Sequence, residues 1–185
     1  MISKILIANR GEIAVRIIRA CKEMGITSVA IYSNADRHAL HVKKADESYF
    51  IGSDPLSGYL NAHWIANVAV TAGCDGVHPG YGFLSENAKF AKLVEKSGLI
   101  WIGPSPRAIK IMGDKIESKK YAIKANVPVL ENSEKESDAK KIGYPLLVKA
   151  AAGGGGKGMR LVKDAADFTT ALASAQREAT AAIGH

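Results

Sequence analysis

The sequence predicts an α/β protein: a mostly parallel sheet covered by helices, followed by a second, incomplete α/β unit. Three observations carry this expectation. Short apolar, β-branched runs alternate with segments of helical spacing through the first half of the chain. Glycines stand where the helical segments should stop, at Gly25 and Gly73. Beyond Gly113 the pattern changes, and two apolar runs flank four consecutive glycines, Gly153 to Gly156.

The elements follow in order. Lys4 to Ala8 reads as the first strand. In residues 11–24 Ile13, Ile17, Cys21 and Met24 recur at intervals of three and four, which predicts a helix closed by Gly25 as its C′ residue. Strands are expected at 27–32 and 47–51, a helix at 59–71, and a short strand at 75–78. Pro79-Gly80-Tyr81-Gly82 is a loop. Ser85 is expected to cap a helix reaching about Lys96, with Glu86 and Asn87 in its first turn, and Leu99 to Ile102 is a further strand.

In the second unit Asp114 is placed to cap a helix running to about Ala125, and Pro128 lies in an extended link. Glu134 to Ile142 reads as a polar helix stopped by Gly143. Pro145 to Lys149 and Met159 to Val162 read as two strands joined by the glycine-rich loop. Asp164 then caps a last helix with Ala165, Phe168, Leu172 and Ala175 on one face. A two-stranded sheet with one helix leaves an open edge and a thin core, so the expectation is that the second unit is cut short and a third strand follows residue 185.

Composition narrows the function classes. The chain of 185 residues carries a formal charge of +7, with ordinary apolar and charged content. The basic residues are interleaved with acids, as in Lys115-Ile116-Glu117-Ser118-Lys119-Lys120, and no aromatic-rich basic stripe is present. A small anionic ligand is therefore expected rather than a nucleic acid. No apolar run reaches the length of a membrane helix, and the N-terminus is too short and charged for a signal peptide, so no membrane partner is expected. Cys21 and Cys74 have neither metal-ligand spacing nor a disulfide framework, and a cytoplasmic setting is expected.

The glycine run loses more conformational entropy on folding than other stretches, and an anion held by converging N–H groups would offset that cost. On glycine content alone a disordered surface loop is an equal reading. Two phosphate-binding motifs are excluded by particular residues. The first turn, Asn9-Arg10-Gly11-Glu12, has one glycine where the dinucleotide fingerprint needs three, and no acid closes the second strand. The glycine-rich loop lacks the Walker pattern, because Ala151 and Gly158 stand where glycine and Ser or Thr are required. A flap between two strands that closes over a triphosphate remains, with Lys149 at the end of an apolar strand as its cation.

Four stretches then carry a resemblance: Ile7 to Ala14, His78 to Asn87 (HPGYGFLSEN), Met112-Gly113-Asp114-Lys115, and Lys149 to Arg160. In this order and spacing they resemble the biotin carboxylase family, and the likeness covers the whole chain. It implies a Rossmann-like domain at 1–113 followed by the start of an ATP-grasp domain at 114–185. It implies an ATP- and bicarbonate-dependent carboxylation of biotin, through carboxyphosphate. The implied cofactors are ATP with Mg2+ or Mn2+, the metal ligands lying outside this chain. Biotin on a separate carrier protein is the implied substrate.

The implied partners are the biotin carboxyl carrier protein, a carboxyltransferase subunit and a second copy in a homodimer. Carried over residue by residue, the resemblance assigns Lys115 and Lys149 to the ATP phosphates. It assigns the N–H groups of Gly154, Gly155 and Gly156 to the triphosphate, and Met159 to the nucleotide pocket. Tyr81 and Glu86 fall on the biotin or bicarbonate side, or brace it. Arg16, Arg19 and Glu23 form a stripe on the first helix that is either a solvated face or part of a dimer interface. No catalytic acid–base pair is assigned, and catalytic residues are expected beyond residue 185. The chain is thus expected to be an N-terminal part, inactive alone. A non-catalytic assembly or nucleotide-binding module and another ATP-grasp ligase are the alternatives. The final carboxyl acceptor is not legible.

Overall fold

The computed structural model describes residues 2–130, 133, 136–149 and 158–183, without the side chains of 115, 179 and 181–183. They form two compact units, Met1–Ser118 and Lys119–His185.

The first unit is built on five parallel strands: β1 (Lys4–Ile7), β2 (Thr27–Tyr32), β3 (Glu47–Phe50), β4 (Gly76–His78) and β5 (Ile100–Trp101). Their order is β3-β2-β1-β4-β5, so the direction of winding reverses beside β1. The connecting helices are α1 (Gly11–Glu23), α2 (Leu40–Lys44), α3 (Ala62–Thr71) and α4 (Ala88–Lys96), with α5 (Pro106–Gly113) and α6 (Lys115–Lys124) after the last strand.

β1 is buried on both faces, which is why it reads as a continuous apolar run. Leu6 and Ala8 pack with Val29, Ile31 and Val77 against Ile65 and Ala69 of α3 and Phe90 and Val94 of α4. Ile5 and Ile7 face the other way, onto Ala14, Ile18 and Cys21 of α1. The buried face of α1 is thus turned from the expected one. Ile13 and Ile17 are only half-buried, and Met24 is 72% exposed, because it lies past the helix end as the C-cap. Gly25 does occupy C′: its N–H donates to Lys22 O at 3.3 Å while Ile26 N–H reaches Cys21 O at 2.8 Å, the paired bonds of a Schellman ending.

Other boundaries also move. Residues 57–60 form a 3₁₀ turn, and α3 starts after Asn61, whose side chain accepts from Trp64 N–H at 3.0 Å. Asn87, not Ser85, caps α4, accepting from Lys89 and Phe90 N–H at 3.0 Å each. Helices α2 and α5 were not expected. The latter has a Ser105 cap and Pro106 in its first turn. Asp114 caps α6 as expected, accepting from Ile116 and Glu117 N–H at 2.8 and 3.0 Å.

At the N-terminal edge of the sheet, carboxylates anchor strand starts. Asp75 Oδ2 accepts from Ser3 N–H, Ser3 Oγ–H and Lys4 N–H at 2.7, 2.8 and 2.9 Å. Asp46 Oδ2 accepts from Ser28 N–H and Oγ–H at 2.8 and 2.7 Å. These bonds hold both carboxyls below the usual carboxylate range.

The second unit contains α7 (Ala139–Ile142), an antiparallel pair of β6 (Leu146–Lys149) and β7 (Met159–Val162), and α8 (Phe168–Ile183). Within the expected polar helix a 3₁₀ turn covers 136–138 and α7 is a single turn ended by Gly143, while Glu134 and Lys135 lie outside the described residues. Asp164 closes the turn before α8, accepting from Ala166 and Asp167 N–H at 2.9 and 3.3 Å, so Ala165 lies outside the helix and is exposed. Ala175 and Val162 are buried in this unit. Among the described residues no helix is long and apolar enough to cross a membrane.

The polar interior of the first unit sits at the C-terminal ends of β1 and β2. Arg10 binds Asp36 through Nε at 2.6 Å and through Nη2. The buried Tyr59 hydroxyl donates to Asp36 Oδ2 at 2.8 Å and accepts from Ser33 N–H at 3.3 Å. Arg10 holds the Asp36 carboxyl down, and burial pushes the Tyr59 phenol up. His41 is fully buried with Nε2 3.3 Å from Ile31 O, so Nε2 carries the proton and Nδ1 is left without a partner. Burial pushes His41 down, and His78 at the end of β4 likewise.

Tyr59→Phe leaves the Ser33 N–H without that acceptor, and is expected to cost about 1–2 kcal/mol in urea denaturation. Stability is also expected to fall in two stages with acid. The unfolded histidines take up protons near about pH 6.5 while folded His41 and His78 resist, so stability declines from there downward. Asp36 contributes stability present above its unfolded pKa of about 4, and lost as pH falls through its lower folded value. A urea midpoint that stays flat between pH 7 and 5 would contradict the first stage.

Candidate functional site

The reversal of strand order brings two loops side by side at the C-terminal edge of the sheet, 8–10 after β1 and 79–82 after β4. In an open parallel sheet this crevice is the usual ligand position. Here a side chain fills it. Asn9, fully buried, donates from Nδ2 to Pro79 O at 2.8 Å and to Tyr81 O at 2.9 Å, and its Oδ1 accepts from Arg10 N–H at 2.9 Å. Gly11 opens α1 at φ 59°, which lets the chain turn directly from β1 into the helix.

The 79–83 loop is tightly specified. Gly80, Gly82 and Phe83 lie at φ 66°, 73° and 44°. A Cβ on Gly80 would stand 2.7 Å from Ile13 Cγ2 and 2.8 Å from Asn9 Nδ2. Gly80 N–H donates to His78 Nδ1 at 3.0 Å, which requires a neutral imidazole with its proton on Nε2. Phe83 is a bulky residue in the left-handed region, a conformation that costs about 1–3 kcal/mol. Its ring stacks on Tyr59 with centroids 5.2 Å apart, a packing contact that offsets part of that cost.

Of the residues singled out in this segment, Tyr81 is 59% exposed and its hydroxyl donates to Glu12 Oε1 at 2.6 Å. That bond pushes the phenol pKa up, while Arg16 nearby acts the other way. Glu86 is exposed in the turn before α4. Arg16, Arg19 and Glu23 are all exposed on α1, with no ion pair within the stripe.

In the second unit Lys149 and Met159 are cross-strand partners. They share a face of the two-stranded sheet with Leu147 and Leu161, and all four are exposed. Leu146, Val148, Arg160 and Val162 point to the other face, where Arg160 pairs with Glu178 of α8 at 2.8 Å. The structure thus places a lysine and a methionine side by side on an otherwise apolar surface. Lys115 is the first residue of α6, and its side chain lies outside the described residues, as do Gly154, Gly155 and Gly156. Among the described residues no group of three or more His, Cys, Asp or Glu is placed to hold a metal.

Asn9, Glu12, Asp36 and Tyr59 organise this edge and were not singled out from the sequence. Only Asn9 had a local signal, as an amide directly after an apolar strand. Glu12 meets Tyr81 69 residues away, and Asp36, beyond a 3.4 Å contact with the nearby Ser33 hydroxyl, is held by Arg10 and Tyr59, 26 and 23 residues away.

These features define a parallel α/β domain of the kind that precedes an ATP-grasp module, and comparison with known proteins agrees. The family model described as biotin carboxylase, N-terminal domain, matches residues 1–109, and that of the carbamoyl-phosphate synthase L chain, ATP binding domain, matches residues 114–185. The chain belongs to the biotin carboxylase family. It is 52% identical to the biotin carboxylase of Nostoc sp., over 98% of this chain and 43% of that protein. It is 48% identical to the 2-oxoglutarate carboxylase small subunit of Hydrogenobacter thermophilus, over 100% of this chain and 41% of that one. A crystal structure of Campylobacter jejuni biotin carboxylase in a β,γ-ATP complex superposes with a TM-score of 0.90 at 45% identity, covering 100% of this chain and 43% of that chain. The dimeric biotin carboxylase domain of the H. thermophilus enzyme, in complex with MgADP, ADP and bicarbonate, gives 0.88 at 47% identity, again over 100% and 43%. The chain therefore spans less than half the length of these relatives.

Gly80→Ala forces a side chain into the left-handed region and against Asn9 and Ile13. A loss of about 2 kcal/mol or more is expected in urea denaturation. An unchanged midpoint would show that the loop accepts a side chain at this position.

Proposed function

We propose that this chain supplies the N-terminal domain and the first part of the ATP-grasp module of an enzyme that uses ATP and bicarbonate to carboxylate biotin on a carrier protein. The observation that carries the reading is the pair of family matches in order, 1–109 and 114–185, beside relatives named as biotin carboxylases. The proposed domain boundary at 113/114 lies between the two family matches and just before α6, five residues ahead of the division between the compact units.

The proposed roles follow from charge and placement. Lys149 offers an ammonium to the ATP phosphates from the end of β6, and Met159 beside it gives the nucleotide an apolar, adaptable wall. Lys115 is the second phosphate cation. The N–H groups of Gly154, Gly155 and Gly156 close over the triphosphate and stabilise charge as it moves off the γ-phosphate. Mg2+ or Mn2+ would neutralise the phosphates, and among the described residues no acidic cluster is placed to hold it. Tyr81 and Glu86 face biotin or bicarbonate from the β4–α4 segment. The exposed Arg16, Arg19 and Glu23 stripe is the homodimer contact. The further partners are the biotin carrier protein and a carboxyltransferase subunit, and the setting is cytoplasmic.

The test is a chimera in which this chain replaces the matching part of a biotin carboxylase. Biotin-dependent fixation of labelled bicarbonate is expected, and Lys149→Gln should lower kcat/KM for ATP by about 100-fold or more, the scale for loss of one positioned charge donor. A folded chimera without biotin-dependent fixation would sink the reading. The 185 residues alone are expected to give no fixation and at most weak heat on titration with Mg-ATP. Stoichiometric, tight ATP binding by the lone chain would favour a self-sufficient nucleotide-binding module instead.

A further inference from the structure

We propose that Asn9 is a positioning residue that sets where Tyr81 stands, and that the crevice between β1 and β4 is filled for this purpose. The proposal rests on the reading of Tyr81 on the biotin or bicarbonate side and commits it to biotin.

The geometry is specific. The two hydrogens of one carboxamide reach two carbonyls of the same loop, Pro79 O at 2.8 Å and Tyr81 O at 2.9 Å. The residue between them, Gly80, is wrapped so closely that an added Cβ would stand 2.8 Å from Asn9 Nδ2. The amide is held in turn: Oδ1 accepts from Arg10 N–H at 2.9 Å, and that bond fixes which end of the carboxamide faces the loop. Tyr81 is then tied at both ends. Its carbonyl is bonded to Asn9 and its hydroxyl to Glu12 Oε1 at 2.6 Å. The Glu12 contact is exposed and can exchange with a ligand or water, whereas Asn9 is fully buried and cannot. Past Tyr81 the loop is pinned a second time by the stacking of Phe83 on Tyr59. Asn9 thus touches no ligand itself. It fixes the backbone from which the Tyr81 side chain projects.

Aspartate has nearly the shape of asparagine but no hydrogens to donate, so Asn9→Asp leaves two carbonyls facing an acceptor without opening a cavity. Asn9→Ser shortens the side chain out of reach. Hydrogen exchange on the purified chain is the first measurement. In both variants the amides of 80–83 are expected to exchange about 10-fold faster or more, while those of 5–7 in β1 change by less than about twofold. In the unsubstituted chain the Asn9 side-chain amide protons should exchange about 100-fold slower than those of a free carboxamide, a result that needs no variant to fold.

In the chimera, the KM for biotin should rise about 10-fold, with bicarbonate-dependent ATP hydrolysis in the absence of biotin within about twofold of the unsubstituted enzyme. Unchanged loop exchange, rapid exchange of the Asn9 amide, or a parallel loss of both activities with faster exchange throughout the sheet would each overturn the proposal. An unsubstituted chimera without biotin-dependent fixation would remove the biotin reading, while the exchange data would still decide whether Asn9 holds the loop.

Discussion

The first unit depends on β1 being buried on both faces at the point where strand order reverses. β2 and β4 pair with it directly, and β3 and β5 pair with those two strands. Its side chains divide between two cores, Leu6 and Ala8 toward α3 and α4, Ile5 and Ile7 toward α1. One consequence is architectural: the loops after β1 and β4 must emerge together. The other is chemical. Buried backbone ends in that cleft need polar partners, and the fully buried Asn9 supplies them.

Beside it, Arg10, Asp36, Tyr59 and Ser33 form a second polar cluster. The two clusters meet at the 79–83 segment, where Asn9 holds the first carbonyls and Tyr59 supports Phe83. The strained backbone there is held from both ends. That is the condition under which a costly conformation persists in a folded protein. In this chain it occurs in the segment that carries the exposed Tyr81.

The strand runs, the glycine stops and the antiparallel pair around the glycine-rich segment were legible because period and punctuation are local signals. Gly25 in its Schellman ending and Asp114 at its cap are examples. Local ambiguity defeated others. Ser85 and Asn87 are both good caps, but the chain stays in turns through 83–86, with Asn87 N–H bonded to Leu84 O, and the helix starts only after Asn87. Ser105-Pro106 is a readable start signal for α5, a cap followed by proline, that the expected element order does not use. The Asp36 cluster had no local signal at all, since an acid followed by an arginine and a histidine is ordinary surface sequence. Its meaning comes from Arg10 and Tyr59, 26 and 23 residues away. On the candidate site, Lys149 is legible as a cation at the end of an apolar strand and Met159 only through the resemblance, and the register adds that they are opposite one another on one face.

The division of the buried residues has a consequence for synthesis. All members of the two main cores, from Ile5 to Ile109, lie within the first unit. A ribosome that has released Ser118 has therefore already delivered every strand and helix that this sheet needs. The unit can complete its core before the glycine-rich segment leaves the ribosome, and the exposed Leu147 and Leu161 emerge beside a folded domain on the same chain.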